Sequence, residues 1–127
     1  MPRLQHVSTT IPVGSQEEVR TFYGKVIGLE EKAPPSTLTH LNLVWFIAGE
    51  GEMELHFVPD PIRPRLEDQR HICLVVDDLE EYKRRLTEAG CTLEDAPPIP
   101  HRPRFFCHDP FGNRLEFTTI LGDYRDA

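Results

Sequence analysis

The sequence predicts an α+β fold built from two tandem βαβββ modules. Three observations carry that prediction. The order strand, helix, then two or three strands is written twice along the chain. Prolines cluster at 34–35, 59–64 and 97–103, and they mark the gaps between periodic segments because proline breaks helices and central strands. Two stretches also align as copies. QHVSTTIPV stands against RHICLVVDD, pairing His6 with His71, and MELHF stands against LEFTT, pairing Glu54 with Glu116. The modules are expected over about 4–58 and 68–120, with a linker at 59–67 and a C-terminal tail at 121–127. Together they make a single domain of 127 residues.

Each element has a local reason. Leu4 to Ile11 reads as a strand with His6, Ser8 and Thr10 on one face. Ser15 opens a helix, and Glu18 three residues later completes a capping-box pattern. Val19, Phe22, Tyr23, Val26 and Ile27 follow at helical spacing, and Gly28 suits the residue just past the helix end. Leu41 to Ile47 is an apolar strand, and Ala48 to Gly51 forms a turn. Glu52 to Val58 alternates, with Met53, Leu55 and Phe57 on one face and Glu54 and His56 on the other. In the second module His71 to Val76 is a strand. Asp78 and Glu81 cap a helix whose stripe is Leu79, Tyr82, Lys83 and Leu86, and Gly90 ends it. Cys91 to Glu94 suggests a short strand. Arg104 to His108 and Arg114 to Ile120 form a final hairpin across the turn Asp109 to Asn113.

Composition excludes several functions. Twenty-one acidic residues against fourteen Lys and Arg give a net charge of −7, which argues against binding to phosphate backbones. No window approaches a membrane span, and Met1 to Val13 lacks the apolar run of a signal peptide. The three cysteines, Cys73, Cys91 and Cys107, have no CxxC spacing, which suits reduced thiols and a cytoplasmic protein.

The repeat sets two His and two Glu at matched strand positions. If the two sheets face each other, His6, Glu54, His71 and Glu116 converge as two imidazoles and two carboxylates, a donor set for Zn, Ni, Fe or Mn. His56, two residues from Glu54 on the same face, is the alternative to Glu54 as ligand, and Glu54 is then free to act as a base. Arg104 is a candidate clamp for an anionic substrate, and Phe106 and Trp45, with Phe46, are candidate pocket walls.

These residues resemble a family. FYGKVIGLE at the first helix, HICLVVDDLEEYKRRLTEAG in the second module and FFCHDPFGNRLEF near the end are similar to the glyoxalase/bleomycin resistance protein/dioxygenase family, the vicinal oxygen chelate superfamily, from Leu4 to Ile120. The resemblance implies a cupped, barrel-like mixed sheet and a divalent metal in the cup. Carried over by position, the four-ligand set falls on His6, Glu54, His71 and Glu116, and the three-ligand set on His6, His71 and Glu116. Thr10 and Val58 stand where glutathione-dependent members carry Arg and Asn, a departure from glutathione recognition.

The function expected is that of a glyoxalase-like lyase or isomerase. It would move a proton on a small α-hydroxy or α-keto substrate chelated to the metal, with Glu116 or Glu54 as the proton shuttle. The alternatives are a metal-free drug-binding protein of the bleomycin-resistance kind and a small extradiol-type dioxygenase. A homodimer is expected, with modules pairing within or between chains and no nucleic-acid or membrane partner.

Overall fold

A computed structural model describes residues 1–126. The chain divides into two compact units, Met1–Pro64 and Arg65 onward, each built on a four-stranded mixed sheet. The second unit begins inside the stretch expected as linker. Of the expected tail, Ala127 lies outside the described residues.

In the first unit the strands are β1 His6–Ile11, β2 Glu30–Lys32, β3 Val44–Ile47 and β4 Glu54–Pro59, in the spatial order β1-β4-β3-β2. β1 runs parallel to β4, and the other pairs are antiparallel. Parallel pairing requires a crossover, and the helical turn α1, Gln16–Val19, begins it. α1 continues into a π-wound segment, Arg20–Ile27, whose Phe22, Tyr23 and Ile27 are buried. Tyr23 packs on Phe46 and Phe57, with ring centroids 6.2 and 4.4 Å away. Gly28 ends the helix at φ 93°, a left-handed conformation that costs glycine little.

Two expectations are corrected here. Ser15 does not cap the helix through its side chain. Its backbone, at φ −98° and ψ 12°, lacks the extended conformation a side-chain cap needs, and its hydroxyl donates to the Pro12 carbonyl at 2.6 Å. The strand expected from Leu41 starts at Val44, because Ser36–Leu41 winds into a 3-10 helix ended by Asn42 at φ 54°. The sequence reading also did not place β2, whose Glu-Glu-Lys has no alternation to betray it. Pairing with β3 sets Lys32 beside Trp45.

The second unit has β5 His71–Val75, β6 Glu94–Asp95, β7 Arg104–His108 and β8 Arg114–Thr118, in the order β5-β8-β7-β6. Helix α2, Leu79–Glu88, is capped as expected, with the Asp78 side chain accepting from the Glu81 N–H at 3.1 Å. Leu86 is fully buried, and Tyr82 lies 5.7 Å from Phe117, so the apolar stripe of α2 covers the core face of β8. Phe105, Leu115 and Phe117 fill that face. Among the described residues no helix is long and apolar enough to cross a membrane.

The β7–β8 turn fixes the placement of β8. Asp109 is buried, and its Oδ1 accepts from the N–H groups of Phe111 and Asn113 at 2.9 and 2.8 Å. Its Oδ2 accepts from the Asn113 amide at 3.0 Å. Gly112 sits at φ 95°, where a side chain would be strained. Asp109→Ala leaves buried N–H groups without acceptors, so urea unfolding should show a loss of about 2–3 kcal/mol. Asp109→Asn keeps an acceptor and should lose less.

Candidate functional site

In each sheet one face packs on a helix and the other carries the polar residues. In the first unit the polar face presents His6 and Ser8 of β1, Glu54 and His56 of β4, Trp45 of β3 and Lys32 of β2. In the second it presents His71 and Cys73 of β5, Arg114 and Glu116 of β8, and Arg104 and Phe106 of β7. Phe46 is on the opposite face, fully buried in the core, not at the site.

Strand register revises the equivalence between the modules. His6 lies opposite Glu54, and Ser8 opposite His56. His71 lies opposite Arg114, and Cys73 opposite Glu116. Counted from the first-strand histidine, Glu116 therefore corresponds to His56, and Glu54 corresponds to Arg114. The matching sequences are ELHF and RLEF, in which Leu55 and Leu115, then Phe57 and Phe117, fill the same buried places. Side-chain contacts follow this register. The His6 ring stacks on His56 with centroids 4.1 Å apart, and His71 Nε2 lies 3.0 Å from Glu116 Oε1.

Each histidine has one ring nitrogen tied to an oxygen. Gln5 donates its amide N–H to the Glu52 carbonyl at 3.0 Å, so its Oε1, 2.7 Å from His6 Nδ1, accepts a proton from that nitrogen. The Gln69 carbonyl likewise accepts from His71 Nδ1 at 2.9 Å. His56 Nε2 lies 2.9 Å from Glu54 Oε1, and Lys32 donates to the other oxygen of that carboxylate. The Lys32 ammonium, and after it His56, holds the buried Glu54 carboxyl at about 2. Glu54 is thus an acceptor only, and His56 Nε2 carries the hydrogen. Burial pushes the His56 pKa down, which favours the neutral ring. His56 is also clamped by Trp45, stacked at 3.8 Å and 1° on the side away from His6.

The lone pairs left over are His6 Nε2, His56 Nδ1 and His71 Nε2. At His71 the lone pair meets a carboxylate oxygen at 3.0 Å, and two acceptors face each other. Such a contact is attractive only with positive charge at it, either a proton on the ring or a metal cation. An imidazole oriented through its second nitrogen by a carbonyl or carboxylate is the usual support of a metal-ligating histidine. Imidazole and carboxylate donors suit a borderline divalent cation. The donors come in pairs within each unit. Among the described residues no group of three or more His, Cys, Asp or Glu side chains is gathered to hold a metal.

Arg104 is largely engaged. Its Nε and Nη2 donate to the Pro97 carbonyl at 3.2 and 2.8 Å, and its Nη1 to Glu116 Oε2 at 3.3 Å. Phe106 meets the His71 ring edge-on at 5.1 Å. Desolvation, then the Glu116 carboxylate, holds the Cys73 thiol up at about 11. Cys107 is buried against the Cys91 thiol, which raises its pKa. The sequence reading missed Lys32, Gln5 and Gln69. Gln5 and Gln69 stand just before the two first-strand histidines, a signal available in the sequence.

Comparison with known proteins agrees with the fold. A glyoxalase family protein from Bacillus anthracis is 33% identical, with 94% of this chain and 96% of that chain covered and a TM-score of 0.82. The fosfomycin resistance protein FosX from Listeria monocytogenes is 15% identical, with 98% and 96% covered and a TM-score of 0.79. TnmS3, an antibiotic binding protein from Streptomyces sp. CB03234, is 22% identical, with 94% and 97% covered and a TM-score of 0.68. The last two show likeness of fold alone. No curated protein sequence matches this chain. The profile of the Glyoxalase/Bleomycin resistance protein/Dioxygenase superfamily matches residues 3–117, and the chain belongs to that superfamily.

Proposed function

We propose that the protein is a metal-dependent enzyme in which His6 and His56 of the first unit, and His71 and Glu116 of the second, are donors to a divalent cation, with Zn, Ni, Fe and Mn as the candidates. One observation carries this reading. All three imidazoles have one nitrogen tied to an oxygen, which leaves a lone pair on the other. Glu54, expected as a ligand, is assigned instead to positioning His56, because its Oε1 takes that ring's hydrogen and Lys32 holds its other oxygen, whereas Glu116 Oε1 faces the His71 lone pair. Trp45 is assigned to clamping the His56 ring and not to the substrate.

The reaction proposed is proton transfer on a small α-hydroxy or α-keto compound, of the isomerase or lyase kind. When bound, the cation supplies Lewis-acid polarisation of two adjacent substrate oxygens. Glu116 is the proton shuttle, since it is the site carboxylate without an ammonium partner, and Arg104 orients it through Oε2. Glu54, held at about 2 by the Lys32 ammonium, is a poor base. Phe106 walls the His71 side, meeting its ring edge-on.

Equilibrium dialysis with elemental analysis tests the donor set. Wild-type protein should load with the ion, and His56→Ala and His71→Ala should each load less. Glu54→Gln keeps an acceptor for His56 and should still load, whereas Glu54→Leu should weaken binding on the order of 10- to 100-fold. Loading by His56→Ala together with none by Glu54→Gln would make Glu54 the ligand and overturn the assignment.

Solvent deuterium exchange into α-hydroxy ketones and α-keto acids, followed by NMR, tests the chemistry. Exchange at the carbon beside the carbonyl should appear with loaded wild-type protein and vanish in Glu116→Gln. Oxygen consumption with catechols would replace this reading by ring cleavage. Tight binding of an unchanged antibiotic by metal-free protein, with no exchange, would replace it by sequestration.

A further inference from the structure

We propose that Arg114 is the anion anchor of this site and that the substrate carries an oxyanion group, a carboxylate or a phosphonate. The inference rests on the proposed function for the identity of the neighbouring site, and on Arg114's own surroundings for the rest.

Arg114 is placed at the candidate donors by the sheet. It lies on β8 between His71 of β5 and His108 of β7, two residues before Glu116 and on the same face. Its guanidinium carbon stands 3.7 Å from the centroid of Phe106, whose ring in turn meets His71 edge-on. Stacking uses the face of the guanidinium and leaves its N–H groups at the rim. Among the described residues those groups make one hydrogen bond, to Gln69 Oε1 at a long 3.4 Å, and no ion pair.

Among the described residues most Lys and Arg side chains have an ion-pair partner, and Arg114, with Lys25, Arg63 and Arg102, has none. Acidic residues outnumber Lys and Arg by 21 to 14. Arg104, on the next strand, is tied to Glu116 and the Pro97 carbonyl. Lys32 is tied to Glu54, the residue in the corresponding register position of the first unit. The positive ends of Lys32 and Arg104 are therefore spent on protein oxygens, whereas Arg114, on the same face as Glu116, has its fork open. A guanidinium fork matches the two oxygens of a carboxylate or phosphonate. Held flat by Phe106, it loses little freedom on binding.

The test titrates full-length protein with glycolate and with methylphosphonate at constant ionic strength. Each titration is run both metal-free in chelator and metal-loaded, and calorimetry and the arginine Nε–H NMR signals are read. At least one anion should bind metal-free wild-type protein and move the Arg114 signal. Which anion binds more tightly identifies the group. Arg114→Gln should weaken that binding at least tenfold, Arg114→Lys should fall between, and Arg63→Gln, an exposed arginine, should match wild type. Circular dichroism confirms that each variant is folded. Equal binding by Arg114→Gln, or no binding of either anion by wild type, overturns the inference. If Arg114-dependent binding persists while no metal loads, the anion site stands and the proposed enzyme does not. If metal loads and the anions ignore Arg114, the reverse holds.

Discussion

A neutral imidazole has one hydrogen and two nitrogens, so it can ligate a cation in a fixed direction only when something else takes the hydrogen. That constraint orders the polar faces of both sheets. Gln5, Glu54 and the Gln69 carbonyl each take the hydrogen of one histidine. Lys32 matters because it keeps the Glu54 carboxylate charged while buried, and a charged carboxylate cannot donate back to His56. Strand β2, three exposed residues long, holds Lys32 there. The two polar faces are thus arranged around lone pairs.

The two modules reach this arrangement by different chemistry. In the second unit a histidine faces a carboxylate. In the first, the corresponding place holds a second histidine, and a carboxylate stands one same-face step away to orient it. The step preceding the donor then carries a residue of opposite sign in each unit, Glu54 in one and Arg114 in the other. The acid is neutralised by a lysine and the base is left open, so the duplication has diverged into a supporting position and a free cationic one. The open position is where recognition of a charged substrate has room to develop.

Much of this was legible in the sequence, for physical reasons. Period-2 alternation put Glu54, His56 and Glu116 off the core face, and the proline clusters and the Asp-Pro-Phe-Gly-Asn turn bounded the modules. Register was harder to read. Pairing Glu with Glu was chemically attractive, but the buried leucine and phenylalanine of ELHF and RLEF carry the packing, and packing sets the register. β2 was not legible because its stability comes from pairing with β3, not from any local pattern. Arg104 looked like the free cation because no side chain marks its acceptor, and only the folded proline-rich loop brings the Pro97 carbonyl onto the guanidinium.

Anomalous diffraction from crystals grown with zinc tests the central claim most directly. The account predicts zinc at about 2.0–2.2 Å from nitrogen and oxygen donors drawn from His6 Nε2, His56 Nδ1, His71 Nε2 and the Glu116 carboxylate, with Glu54 still bonded to His56 Nε2. A peak ligated by Glu54 with His56 turned away, or no peak at these donors, would contradict it.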